Sequence, residues 1–143
     1  MKILAVTILL GALAAPVARA QAADDSTGIR NAALDYIEGW YAGNGDRMAR
    51  SLHPELAKRI MNIDSGGVYW IGGQTASHLI RNTRLGGGTR TPVAQQRKDV
   101  RILDIFQNTA SVRVDAATWI DYLHLVKWQG RWVILNVLWE VRR

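Results

Sequence analysis

An α+β domain is predicted by three features of the 143-residue chain. Apolar residues at helical spacing fill much of its first half. Two-residue alternation fills the second, and tight-turn dipeptides punctuate that alternation. No internal repeat and no linker-like stretch divides it, so one domain is expected, with N-terminal helices packed on an antiparallel sheet.

The helical part opens with Ile29, Ala33, Tyr36, Ile37 and Trp40, whose spacing puts them on one face. Asp25 or Ser26 is placed to cap its start after a polar lead-in over 21–27, and Gly43-Asn44-Gly45 ends it. Asp46 suits the N-cap of a short second helix with Met48 and Leu52 inward. Pro54 suits the first turn of a third, Pro54 to Met61, with Leu56 and Ile60 on one face and His53 at the junction. A loop over 62–67 leads to a short strand, Val68-Tyr69-Trp70-Ile71, which Gly72-Gly73 breaks. Thr75 then caps a helix to about Arg84 with Leu79 and Ile80 inward, and LGGGTRTP over 85–92 reads as a flexible loop at the rim of the domain.

Strands over 95–106 and 109–117 follow, joined at Gln107-Asn108. The last stretch, Thr118 to Arg143, reads as two long strands joined by a two-residue turn at Gln129-Gly130, with Gly130 supplying positive φ. Pairing Trp128 with Arg131 sets a register. Val126 then faces Val133, His124 faces Leu135, Leu123 faces Asn136, Tyr122 faces Val137, Asp121 faces Leu138 and Ile120 faces Trp139. In that register Asp121 and Asn136 share a face, and His124 and Tyr122 sit on the other.

The N-terminus carries the three parts of an export signal: Lys2, an apolar run from Ile3 to Ala15 too short to span a bilayer, and Ala18-Arg19-Ala20 before Gln21. Residues 1–20 are expected to be removed, leaving a domain over 21–143 that is periplasmic or secreted. Lys2 and Arg19 leave with the signal, so the net charge falls from +6 to +4. No second long apolar run suggests stable membrane insertion. The chain has no cysteine, which excludes disulfides, thiolate chemistry, cysteine metal sites and a lipobox anchor. His53, His78 and His124 lack ligand spacing, so no metal is expected. Gly86-Gly87-Gly88 lacks the Lys-Ser/Thr of a phosphate loop, and no nucleophile elbow is present. The basic run Arg81, Arg84, Arg90, Arg97, Lys98 and Arg101 suits a solvated face, and nucleic acid is a poor partner for an exported chain.

Four segments carry a family resemblance: Asp35-Tyr36-Ile37-Glu38-Gly39-Trp40-Tyr41, Ser51 to Arg59 (SLHPELAKR), Trp119 to Leu125 (WIDYLHL), and Gly130-Arg131-Trp132 with Asn136 to Glu140 (NVLWE). With the order of elements, they resemble the nuclear-transport-factor-2-like superfamily, and within it the branch called putative lumazine-binding, over about residues 28 to 141. The resemblance implies a curved sheet wrapped around the first helix into a cone, with a pocket between them. It also implies a small-molecule ligand, no metal or nucleotide cofactor, and a homodimer through the sheet's outer face.

Tyr36, Trp40 and the final hairpin, Trp139 included, would supply apolar walls to such a pocket. His53, Asp121, Tyr122, His124 and Asn136 are the candidate polar groups. A buried carboxylate and a histidine near neutrality suit acid–base work, so Asp121 with His53 or His124 is the candidate catalytic pair. A cofactor-independent lyase or isomerase is therefore one alternative to simple binding, and a structural dimerisation module is another. The bland readings stand beside these. Asp121 and Asn136 can satisfy one another, His124 reads as a satisfied core histidine, and His53 as a helix cap. Asp121 and His124 have opposite parity in a regular strand, so only a bulge would turn both inward.

Overall fold

The computed structural model describes residues 14–142. Most of the predicted apolar leader, residues 1–13, lies outside the described residues, as does Arg143. The first helix, α1, runs Ala14–Ala42. It is already helical through 21–27, so neither Asp25 nor Ser26 caps it. It stops at Gly43, and Asn44 caps the short α2, Gly45–Ser51, by accepting the Arg47 backbone N–H at 2.9 Å. Asp46, two residues further on, lies inside that helix and pairs with Arg84. No helix among the described residues is long and apolar enough to cross a membrane.

The segment expected as a third helix is the strand β1, Leu52–Ile63. Leu56 and Ile60 are four apart, an even number, so they share a strand face as readily as a helix face. Lys58 between them completes that face. Pro54 falls where the pairing of β1 is irregular, between Leu52 and Ala57, so its missing N–H breaks no regular ladder. The strand β2, Tyr69–Gln74, pairs back on β1, and Thr75 caps α3, Ala76–Arg84, with Leu79 buried. A 3-10 turn at Val93–Gln95 precedes β3, Asp99–Phe106, which therefore starts later than the alternation suggested. The strands β4, Thr109–Asp115, β5, Trp119–Trp128, and β6, Arg131–Val141, complete the meander.

The six strands form one sheet in the order β2-β1-β6-β5-β4-β3. Neighbours are antiparallel except β1 and β6, which run parallel. The sheet is thus mixed, and the three helices pack with it as an α+β fold. Ile29, Ala33, Tyr36 and Ile37 from α1 meet Val112, Val114, Leu123, Leu125, Ile134 and Val137 in one core. At the loop after α3, Trp40 lies so close to Gly88 that a Cβ there would fall 2.4 Å from the indole. The 85–92 loop is therefore packed onto the end of α1.

The β5–β6 turn has Gln129 at φ 49° and Gly130 at φ 77°, the two positive values of a type I′ hairpin. A Cβ on Gly130 would meet no atom within 4 Å. Gly130→Ala should therefore cost only backbone strain, about 1–2 kcal/mol. An unchanged urea midpoint would overturn this assignment of the turn.

Asp115 ties the strand ends together. Its carboxylate accepts from Arg113 at 2.8 and 2.9 Å, from Arg142 at 2.6 Å and from Arg101 at 3.5 Å. The Arg113 hydrogen bonds, joined by Arg142 and opposed by burial, hold the carboxyl down at about 2. The unfolded chain binds the extra proton first, so this contribution is complete above about pH 4. It is lost as the pH falls towards 2. Urea midpoints measured from pH 5 to pH 2.5 should drop less for Asp115→Asn than for the parent; equal slopes would overturn the assignment.

Candidate functional site

The side chains that meet on the helix-facing side of the sheet are set by one irregularity. The β5–β6 pairing follows the expected register from Trp128↔Arg131 to Leu125↔Ile134, then shifts by one residue at Leu135. Beyond this bulge His124 pairs with Asn136, Leu123 with Val137, Asp121 with Trp139 and Trp119 with Val141. Asn136 therefore joins the face of His124, and Trp139 joins the face of Asp121. The parallel β1 adds Lys58 beside Val137 and Ile60 beside Trp139.

A buried polar cluster results. The Lys58 Nζ donates to Asp121 Oδ1 at 2.7 Å and to the Tyr36 phenol oxygen at 2.5 Å. The Tyr36 O–H donates to Asp121 Oδ1 at 3.2 Å, and Trp119 Nε1–H donates to Asp121 Oδ2 at 2.7 Å. The ammonium also lies 4.7 Å from the centre of the Trp139 ring, within cation–π range. The Lys58 and Asp121 side chains are 7% and 0% exposed. Burial pushes the Lys58 amine below its ordinary range, offset in part by the Asp121 charge. Burial first and the same carboxylate second push the Tyr36 phenol well up. At the edge of the cluster Trp119 and Trp139 are only partly buried, edge to face with ring centres 6.3 Å apart. Tyr41 flanks Trp119, its hydroxyl donating to the Arg97 carbonyl and accepting the Ala117 N–H.

Of the residues singled out from the sequence, Tyr36, Asp121 and Trp139 come together here. Tyr122, His124 and Asn136 lie on the opposite, outer face. Tyr122 is 46% exposed there, and His124 and Asn136 line a shallow cavity of about 280 Å³ with Ser111 and Asp104. His53 sits on β1 near the hairpin turn, with Nδ1 accepting the Glu55 N–H at 3.2 Å and its ring edge-on to Trp128. No hydrogen bond joins it to Asp121 among the described residues. Trp40 lies under the 85–92 loop. Lys58 and Trp119 complete the cluster and were missed. The signal for Lys58 was its even spacing from both Leu56 and Ile60, hidden by the helical reading of that segment.

Chemically, both Asp121 oxygens are engaged and the amine is held by two oxygens and an indole face. The cluster is a fixed, internally paired polar group flanked by two partly buried indoles.

Comparison with known proteins agrees with this architecture. An NTF2-like protein with a cystatin-like fold from Novosphingobium aromaticivorans superimposes with a TM-score of 0.66 at 11% identity, covering 93% of this chain and 92% of its own. NTF2-like proteins of unknown function from Shewanella baltica and Methylobacillus flagellatus give 0.64 and 0.62 at 16% and 21% identity. They cover 85% and 84% of this chain, and 96% and 94% of their own. No curated protein sequence matches the chain. The family described as "Putative lumazine-binding" matches residues 24–140. The chain therefore belongs to that family, built on the NTF2-like, cystatin-like fold.

Proposed function

We propose that this is an exported small-molecule-binding domain whose ligand lies on the helix-facing side of the sheet, against Trp139 and Trp119 and above the Lys58–Asp121 pair. The observation that carries this reading is that charged pair. A buried ion pair stabilises a fold no better than apolar side chains of similar volume, so its placement beneath two half-buried indoles favours a role in recognition. The family description supports a small-molecule ligand, and the three-part leader supports export. The engaged state of Asp121 and the remote His53 give no support to acid–base catalysis by that pair.

The outer face supports assembly. Tyr122, Leu138 and Ile71 are 46%, 55% and 62% exposed, and a cleft of about 420 Å³ there is lined by Met61, Ile120, Tyr122 and Leu138. A homodimer through this face is the second part of the proposal, and light scattering at micromolar concentration that shows only monomer would remove it.

The ligand reading is tested by thermal-shift screening of the purified protein against flavin-like, lumazine-like, steroid and polyketide compounds. A ligand present at about 100 times its Kd adds roughly 2.7 kcal/mol, a readily measured rise. That rise should vanish in Trp139→Ala. No stabilisation by any class would overturn the reading.

A further inference from the structure

The sheet ends in two edges that differ. On one side β3 carries Asp99, Arg101 and Asp104 and a bulge at Leu103. Charges and bulges keep an edge strand from pairing with another chain. On the other side β2, Tyr69-Trp70-Ile71-Gly72-Gly73-Gln74, has no charge, no proline and β1 as its single neighbour in the sheet. Tyr69, Trp70 and Ile71 are each more than half exposed. The turn before β2 fixes which of its backbone groups face outward. The Asp64 N–H donates to the Val68 carbonyl. In this antiparallel pair Trp70 and Gly72 therefore direct their N–H and C=O groups to β1, while Tyr69, Ile71 and Gly73 direct theirs to the open edge.

We infer that β2 pairs antiparallel with β2 of a second copy, about a two-fold axis at Ile71, so that the two sheets run on as one. That register sets the bulky half of the strand, Tyr69-Trp70, opposite its bare half, Gly72-Gly73. Ile71 exchanges both backbone hydrogen bonds with its own counterpart, and Tyr69 exchanges both with Gly73 of the second copy. Every outward-facing backbone group from Tyr69 to Gly73 is thereby used. Tyr69 arrives on the outer face beside Gly73, where a Cβ would meet nothing closer than 3.7 Å and Arg59 Nη1 stands 4.0 Å away. Arg59 is exposed and has no ion pair among the described residues, which leaves its guanidinium for the phenol ring. On the other face Trp70 falls opposite Gly72 of the second copy, and an aromatic ring set across from a glycine covers the backbone that the glycine leaves bare. Further along, Gly66 and Gly67 fall opposite Ala76 and Thr75, so the turn leaves room for the start of α3. This fit of the strand to itself selects a second copy over a foreign peptide. The contact is separate from the outer-face pairing proposed above.

The chain has no cysteine, so single cysteines report the register cleanly. Ile71 and its counterpart would stand about 5.5 Å apart at Cα, within disulfide reach. Gly73 and its own counterpart would be out of register by roughly 14 Å along the strand. Both sites tolerate the change, since Ile71 is largely exposed and a Cβ on Gly73 makes only ordinary contacts. Purified Ile71→Cys treated with diamide at micromolar concentration should become mostly a linked dimer, and Gly73→Cys should stay a monomer. In the parent, amide exchange at Ile71 should slow at least about tenfold from dilute to concentrated protein. An Ile71→Cys chain that stays unlinked overturns the inference, whether the edge is bare or held by another protein. Equal linking of the two variants also overturns it, because random collision needs no register, and so does exchange at Ile71 that ignores concentration. A parent that is dimeric by light scattering while Ile71→Cys stays unlinked removes this contact and leaves the outer-face dimer standing. A parent that is only monomeric removes both.

Discussion

Replacing Lys58 by Met lowers the unfolding free energy by about 3–5 kcal/mol, the usual cost of stranding one member of a buried ion pair. Asp121 is wholly buried and Lys58 nearly so. Without the ammonium the carboxylate keeps only the Tyr36 and Trp119 donors. Asp121→Leu should be damaging by the same logic, with the Lys58 amine left buried without its carboxylate partner. The double variant Lys58→Met/Asp121→Leu should recover most of the loss, because neither charge then remains to be desolvated. Urea unfolding followed by tryptophan fluorescence checks all three. A Lys58→Met protein that unfolds like the parent would show that the pair is not buried in solution. A double variant that is stable yet fails to respond to any ligand would separate the fold's needs from the site's.

Trp132→Ala is expected to cost about 3–5 kcal/mol, in the range for a core indole. Trp132 is 7% exposed and lies against α1 where Gly28 leaves room, a Cβ there falling 2.7 Å from the indole. Its Nε1–H donates to Asp25 Oδ1 at 3.0 Å, and Lys127 Nζ donates to the same oxygen at 2.6 Å. The indole thus pins the first helix to the last hairpin by packing and by a buried acceptor. Asp25→Asn keeps the shape and should cost less. Guanidinium denaturation that ranks Asp25→Asn as the worse of the two would make the carboxylate, rather than the packing, the main attachment.

Much of the fold could be read from the chain because its signals were local. Thr75 as a cap, Gly43 as a stop, Gln129-Gly130 as a hairpin turn and the alternation through Val112 and Val114 all depend on neighbouring residues. Two features did not have that character. The β1 strand carries a proline and an i, i+4 pair, both better known from helices, and its strand state is decided by its place between β2 and β6. The bulge at Leu135 has no glycine or turn residue to announce it. It follows from how two twisted strands meet, and it alone moves Asn136 away from Asp121 and brings Trp139 in. The candidate site was therefore half legible: Tyr36, Asp121 and Trp139 stood out by type and position, whereas Lys58 required the correct state of its strand.

The order of strands also bears on how the chain acquires its structure. Inside the sheet, β1, from the first half of the chain, is joined to β6, the last of the described strands. Until β6 has emerged, β1 and β2 form a two-stranded hairpin with no neighbour, and the ammonium of Lys58 has no carboxylate held in place beside it. Pairing so distant in sequence closes a long loop and is slow compared with local contacts. A nascent chain still being synthesised thus lacks the long-range pairing that completes its core until its final strand has been made.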